Sequence, residues 1–93
     1  MAYCYAAVPA AELAARVSTV EAALTKSRAF TTTNLLACDL FIGGYLGGDC
    51  RRSEVKRMLA LLDGPDKRSS TWRPQIAVAC RALRARHQAR RDG

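Results

Sequence analysis

Apolar residues recur along this chain at helical rather than strand spacing. Leu13, Val17, Val20 and Leu24 fall at i, i+4, i+7 and i+11, one stripe of an amphipathic helix. Pro9, whose missing N–H is harmless in a first turn, marks the expected start, and the helix should run to about Lys26. Glu12 and Arg16 are correctly ordered for an i,i+4 ion pair on it. Thr31, Thr32 and Thr33 offer N-caps for a second helix from Asn34 to about Leu46. Its residues Leu35, Leu36, Leu40, Phe41, Ile42, Tyr45 and Leu46 cover nearly the whole circumference, which predicts the central, most buried element. Gly43-Gly44 inside this run costs about 1 kcal/mol per glycine relative to alanine. Close approach of a neighbouring helix backbone is the expected reason, and a kink the alternative. Gly47-Gly48 fits a C-terminal stop.

Asp49 is the expected N-cap of a third helix, from Cys50 or Arg51 to Leu62, with Val55, Met58, Leu59 and Leu62 inward and Arg51, Arg52, Lys56 and Arg57 mostly away from them. Gly64-Pro65 closes that helix, and Pro65 to Thr71 reads as a polar loop. Ser70 or Thr71 can cap a fourth helix, Trp72 to about Arg90, which tolerates Pro74 in its first turn. Trp72, Ile76, Cys80, Leu83 and His87 fall within about 80° of arc and should face the core. On their flank Arg81, Arg84, Gln88 and Arg91 form a basic ridge, and residues 90–93 are expected to fray. Residues 1–8 alternate partly, with Tyr3 and Tyr5 on one side, as in a short strand or an extended arm. The expected fold class is therefore all-α: a compact bundle of about four helices in a single domain, residues 1–93, with an N-terminal arm.

Composition makes the core small. Removing 17 alanines from the apolar share of the 93 residues leaves 29 larger apolar side chains. A chain of this size buries only roughly 60–70% of its unfolded surface, so a homodimer or a docked partner is a further source of burial. Charge is unevenly placed. Up to Cys50, three bases face four acids, a balance of −1; from Arg51 onward, twelve bases face four acids, a balance of +8. The whole +7 belongs to the second half and points to an anionic partner. Twelve of the fifteen bases are arginine, whose planar fork suits phosphates and carboxylates, although an Ala/Arg-rich genome produces the same bias.

Most catalytic classes find no support. No Ser-His-Asp arrangement, phosphate loop or metal motif is visible, so no enzyme activity, cofactor or metal is expected. The lone histidine, His87, reads as a core-edge or solvated side chain. Asp39, in the most apolar helix, calls for a structural partner such as Arg28 or an arginine of another helix. Cys4, Cys38, Cys50 and Cys80 form no CxxC pair and read as reduced core cysteines, with a disulfide framework as the alternative. No stretch approaches the roughly 18 apolar residues of a membrane span, and no base precedes the first apolar run. The expectation is a cytoplasmic, unprocessed chain without membrane contact.

The third helix, a loop and the fourth helix resemble in outline a helix-turn-helix, but the seven-residue connection exceeds the usual three or four. The leading expectation is a small regulator that binds nucleic acid, DNA ahead of RNA. Arg73, Gln75 and Arg81 would lie near base edges, and Arg51, Arg52, Lys67, Arg68, Arg84 and Arg91 along the surrounding basic face. The alternative is a small inhibitor or adaptor of phage or plasmid type, acting as anti-CRISPR proteins do, on an acidic or nucleic-acid-handling protein surface. Tyr3, Tyr5 and Trp72 would then be aromatic anchors.

Overall fold

The stripe Leu13, Val17, Val20 and Leu24 is the buried face of α1 (Leu13–Lys26) in the computed structural model, which describes residues 5–26, 30–63 and 71–92. Pro9 does not open this helix. Residues 5–9 carry no regular secondary structure, and residues 10–12 form a turn in which the Glu12 N–H bonds Pro9 O at 2.9 Å. Among the described residues the arm, 5–9, is coil rather than strand.

α2 (Phe30–Leu46) begins four residues earlier than the threonine caps suggested. Phe30 meets Trp72 edge to face, with ring centroids 4.9 Å apart. That contact lies at the first turn of the helix and carries it through Thr31–Thr33, of which Thr33 is fully buried. α2 ends as expected: Gly48 has φ +83°, its N–H bonds Tyr45 O, and the Asp49 N–H bonds Gly44 O at 2.8 Å, a Schellman closure.

α3 (Arg52–Asp63) is capped by Arg51, not Asp49. Arg51 O accepts the Glu54 N–H at 3.0 Å, and Glu54 Oε1 accepts the Arg51 N–H at 3.2 Å, the glutamate half of a capping box. Val55, Met58 and Leu62 are buried, but Leu59 is 38% exposed, because it sits at the edge of the stripe. α4 (Trp72–Asp92) buries the whole predicted set Trp72, Ile76, Cys80, Leu83 and His87. Asp92 is still helical and accepts from Gln88 Nε2 at 3.3 Å. Tyr3, Cys4, Arg28, the Gly64-Pro65 stop, Lys67, Arg68 and Ser70 lie outside the described residues.

The described helices make an all-α bundle in which α2 lies between α1 and α3, while α4 packs on α1 and more lightly on α3. Leu83 reaches across the centre to Gly44, where an added Cβ would lie 3.6 Å from its Cδ1. Gly43 serves a different neighbour from the one expected. The close backbone is the N-terminal arm: the Val8 N–H bonds Gly43 O at 3.2 Å, and the Val8 side chain is buried against the helix. α2 is also less enclosed than its composition suggests. Leu35, Tyr45 and Leu46 are exposed, because one side of α2 faces away from the rest of the bundle.

Candidate nucleic-acid interface

Ion pairing sorts the arginines into two sets. The first holds the bundle together. Arg16 of α1 donates to Asp39 of α2 at 2.8 Å and lies 3.4 Å from Glu12. Asp39 thus has its arginine from another helix, although its side chain is 47% exposed rather than buried. Arg84 of α4 reaches Glu21 of α1 at 2.7 Å and Ser18 Oγ at 2.9 Å. Arg73 donates to Leu24 O near the C-terminal end of α1 and lies over the Trp72 ring, its Cζ 4.8 Å from the centroid. A cation at a helix C-terminus is favourably placed against the exposed carbonyls.

Three residues of α4 fasten the turn between α2 and α3. His87 Nδ1 donates to Asp49 Oδ1 at 3.2 Å, and Arg90 Nη1 donates to the same oxygen at 2.5 Å and to Gly47 O at 3.3 Å. Arg86 makes a forked pair with Glu54, at 2.8 and 3.2 Å, and also donates to Asp49 O at 3.1 Å. Asp49 is 4% exposed and His87 7%. The expected helix cap is therefore a buried carboxylate that anchors α4, and the lone histidine is its partner. Sequence reasoning missed Arg86 and Arg90 in this role. The available signal was their spacing: Arg86, His87 and Arg90 stand at i, i+1 and i+4, next to the inward stripe.

Burial of Glu54 pushes its pKa up. The hydrogen bond and charge of Arg86, with the Arg51 N–H, outweigh that and hold the carboxyl below its ordinary 4.5. A folded-state pKa below the unfolded value stabilises the fold above the unfolded pKa, and the contribution is lost as pH falls through the folded one. Arg86→Ala should therefore lower stability at neutral pH and flatten its acid dependence below about pH 4.5. Urea unfolding at stepped pH measures this; equal acid slopes for the two proteins would contradict it.

The second set of bases is unengaged. Arg51, Arg52, Lys56 and Arg57 are all exposed and make no ion pair with a described residue. The one acid among them, Glu54, is turned inward to Arg86. Arg81 and Arg91 of α4 are exposed and likewise make no described ion pair. The positive surface thus differs from the predicted ridge: Arg84 is tied to α1, and the densest run of open bases lies on α3. Lys56 and Arg57 were placed on the outer side of the third helix by its periodicity but not among the candidate contacts. Gln75 is exposed beside Arg57 and Pro74 in the groove between α3 and α4. Of the aromatic anchors, Tyr5 is 40% exposed, whereas Trp72 is 4% exposed and belongs to the core.

The remaining polar chemistry is quiet. Cys38, Cys50 and Cys80 are free thiols, and burial pushes the pKa of Cys50 up to about 11 and that of Cys80 up to about 12. Among the described residues no group of His, Cys, Asp or Glu could hold a metal ion. No described helix is long and apolar enough to cross a membrane. No protein-family model, curated protein or solved structure matches this chain.

Proposed function

We propose that this is a small, non-enzymatic nucleic-acid-binding protein, a regulator that meets phosphates with the outer face of α3. The observation that carries the reading is the division of the bases. Arg16, Arg84, Arg86 and Arg90 are paired with Asp39, Glu21, Glu54 and Asp49, and the exposed bases Arg51, Arg52, Lys56 and Arg57 crowd into seven residues of chain. Side chains with no ion pair to a described residue and a shared sign are placed to meet an external polyanion. Arg81, Arg91, Lys67 and Arg68 extend the same balance of charge along the second half. Duplex DNA is preferred to a single strand because its charge density is higher, and a helix face can follow its backbone.

Mobility shifts with random-sequence duplex DNA at two salt concentrations test this. Four phosphate contacts give a log–log salt slope of roughly −4. Arg52→Glu combined with Lys56→Glu should reduce the slope by about 2 and weaken binding at low salt at least about tenfold. Arg84→Ala should leave binding intact and cost about 0.5–1 kcal/mol of stability, since its pair with Glu21 is partly exposed. Absence of binding at low salt, or binding indifferent to the double reversal, overturns the proposal.

A further inference from the structure

One face of α2 is apolar and uncovered. Leu35, Cys38, Ile42 and Tyr45 stand at i, i+3, i+7 and i+10, the spacing of a seam between two helices, with Leu46 beside them. Leu59 of α3 widens the face across the hollow that it lines with Cys38. Among the described residues six large apolar side chains are exposed, and four of them lie here: Leu46 at 51%, Leu35 at 43%, Tyr45 at 42% and Leu59 at 38%. Exposure so concentrated marks an interaction surface rather than ordinary scatter.

Charge selects the occupant. α2 holds a single charged residue, Asp39, in its 17 positions. Two copies of a chain carrying +7 can meet on this face without stacking like charge, which the basic faces of α3 and α4 do not allow. Its two edges differ in sign. On the α1 side Glu12 and Asp39 outnumber Arg16; on the α3 side the exposed Arg52 and Lys56 outnumber Asp63. The size is adequate too. Seventeen residues make a face roughly 25 Å long, and the bundle is 22–27 Å across in its shorter dimensions. With the flanks of α1 and α3 this provides on the order of 600–800 Å² per copy, close to a standard interface.

We infer that a second copy of this chain docks here, α2 against α2, with the two-fold axis running along the helices. That parallel arrangement sets the Glu12/Asp39 edge of one copy against the Arg52/Lys56 edge of the other on both sides. An antiparallel pair would bring like edges together. The rim charges set orientation while the apolar seam holds the copies; Arg52 and Lys56 at this rim are also among the bases proposed for phosphate contact, whereas Arg51 and Arg57 are not used by the seam. The inference rests on the exposed face of α2 and not on the nucleic-acid reading; because Arg52 and Lys56 enter both, the dimer is tested in the absence of DNA.

Sedimentation velocity should give twice the chain's 10.1 kDa at micromolar concentration. Leu35→Glu with Leu46→Glu should give 10.1 kDa with an unchanged helical circular dichroism spectrum, since both side chains are exposed in the single chain. A short bis-maleimide should link the wild-type copies through Cys38, which the parallel axis brings opposite its mate, and should fail with Cys38→Ser. Lys56→Glu should raise the dimer dissociation constant several-fold at low salt and lose that effect at high salt. A wild type that stays at 10.1 kDa, or a dimer that survives the two glutamates, overturns the proposal. A dimer that never links through Cys38, or that ignores Lys56→Glu, overturns its parallel orientation.

Discussion

Replacing Asp49 with alanine is expected to lower stability by about 2–3 kcal/mol, the cost of leaving buried polar groups without their acceptor. Asp49 Oδ1 accepts from both His87 and Arg90, and the residue is 4% exposed at the turn that joins α2 to α3. The two donors lose differently. His87 is 7% exposed, so its ring N–H would be stranded inside the bundle, where an unpaired donor costs about 1–3 kcal/mol. The Arg90 side chain is 53% exposed and can turn to water, so its share is small. Arg86 still holds the turn through Asp49 O, which alanine retains. Asp49→Asn keeps one acceptor oxygen and should recover about half of the loss. Urea denaturation would show a lower midpoint at unchanged slope, and the thermal midpoint should fall by about 10 °C or more. A change below about 0.5 kcal/mol would mean that the clamp is not structural, since ordinary surface substitutions fall in that range.

Gly43→Ala should destabilise the protein although it improves the helix. Alanine at a helix interior gains about 1 kcal/mol over glycine. The new Cβ, however, would collide with Val8 Cγ2 and stand 3.1 Å from Ala6 O and 3.3 Å from Val8 N. The buried Val8 side chain must move out of the way, and the Ala6 and Val8 backbone must give with it, so the arm is pushed off the helix. Lifting exposes Val8, worth about 1.5–3 kcal/mol when fully buried, and breaks its hydrogen bond to Gly43 O, worth about 1 kcal/mol. The balance is a net loss of about 1.5–3 kcal/mol when the arm lifts fully. Hydrogen exchange gives the distinctive sign: the Val8 amide should lose protection while the amides of α2 keep theirs. Gly44→Ala is the contrast, because its Cβ would meet Cys50 Cβ at 3.4 Å and Leu83 at 3.6 Å, ordinary contact distances. A Gly43→Ala protein as stable as wild type would place the arm elsewhere.

Helix number, order and inward faces could be read from the residues, and the reason is visible in α4. Its stripe Trp72, Ile76, Cys80, Leu83 and His87 needs only the helical period, a local property, and all five are buried. The Gly47-Gly48 stop was legible for the same reason: the left-handed turn it forms is a local backbone demand. The places where local reading went astray are those where a distant contact overrules it. Phe30 packs on Trp72, and α2 begins there instead of at a threonine cap. Asp49 has the composition of an N-cap, but α4 passes close enough to claim its carboxylate. Leu59 matches the inward spacing of α3 yet lies where no described helix covers it.

The candidate site divides in the same way. That the second half carries a balance of +8 is a matter of counting, and periodicity alone places Arg52, Lys56 and Arg57 away from the apolar stripe of α3. Which bases remain open could not be counted. Arg84 meets Glu21 across 63 residues of chain, and Arg86 meets Glu54 across 32. Such pairings arise only when the helices are set side by side, because a charge finds its partner through space and sequence proximity carries no record of it. The chain's own residues thus determine four helices, their buried faces and a basic half. The tertiary arrangement alone decides that the arginines of α4 are mostly fastenings, that the densest open charge lies on α3, and that one apolar face of α2 remains uncovered.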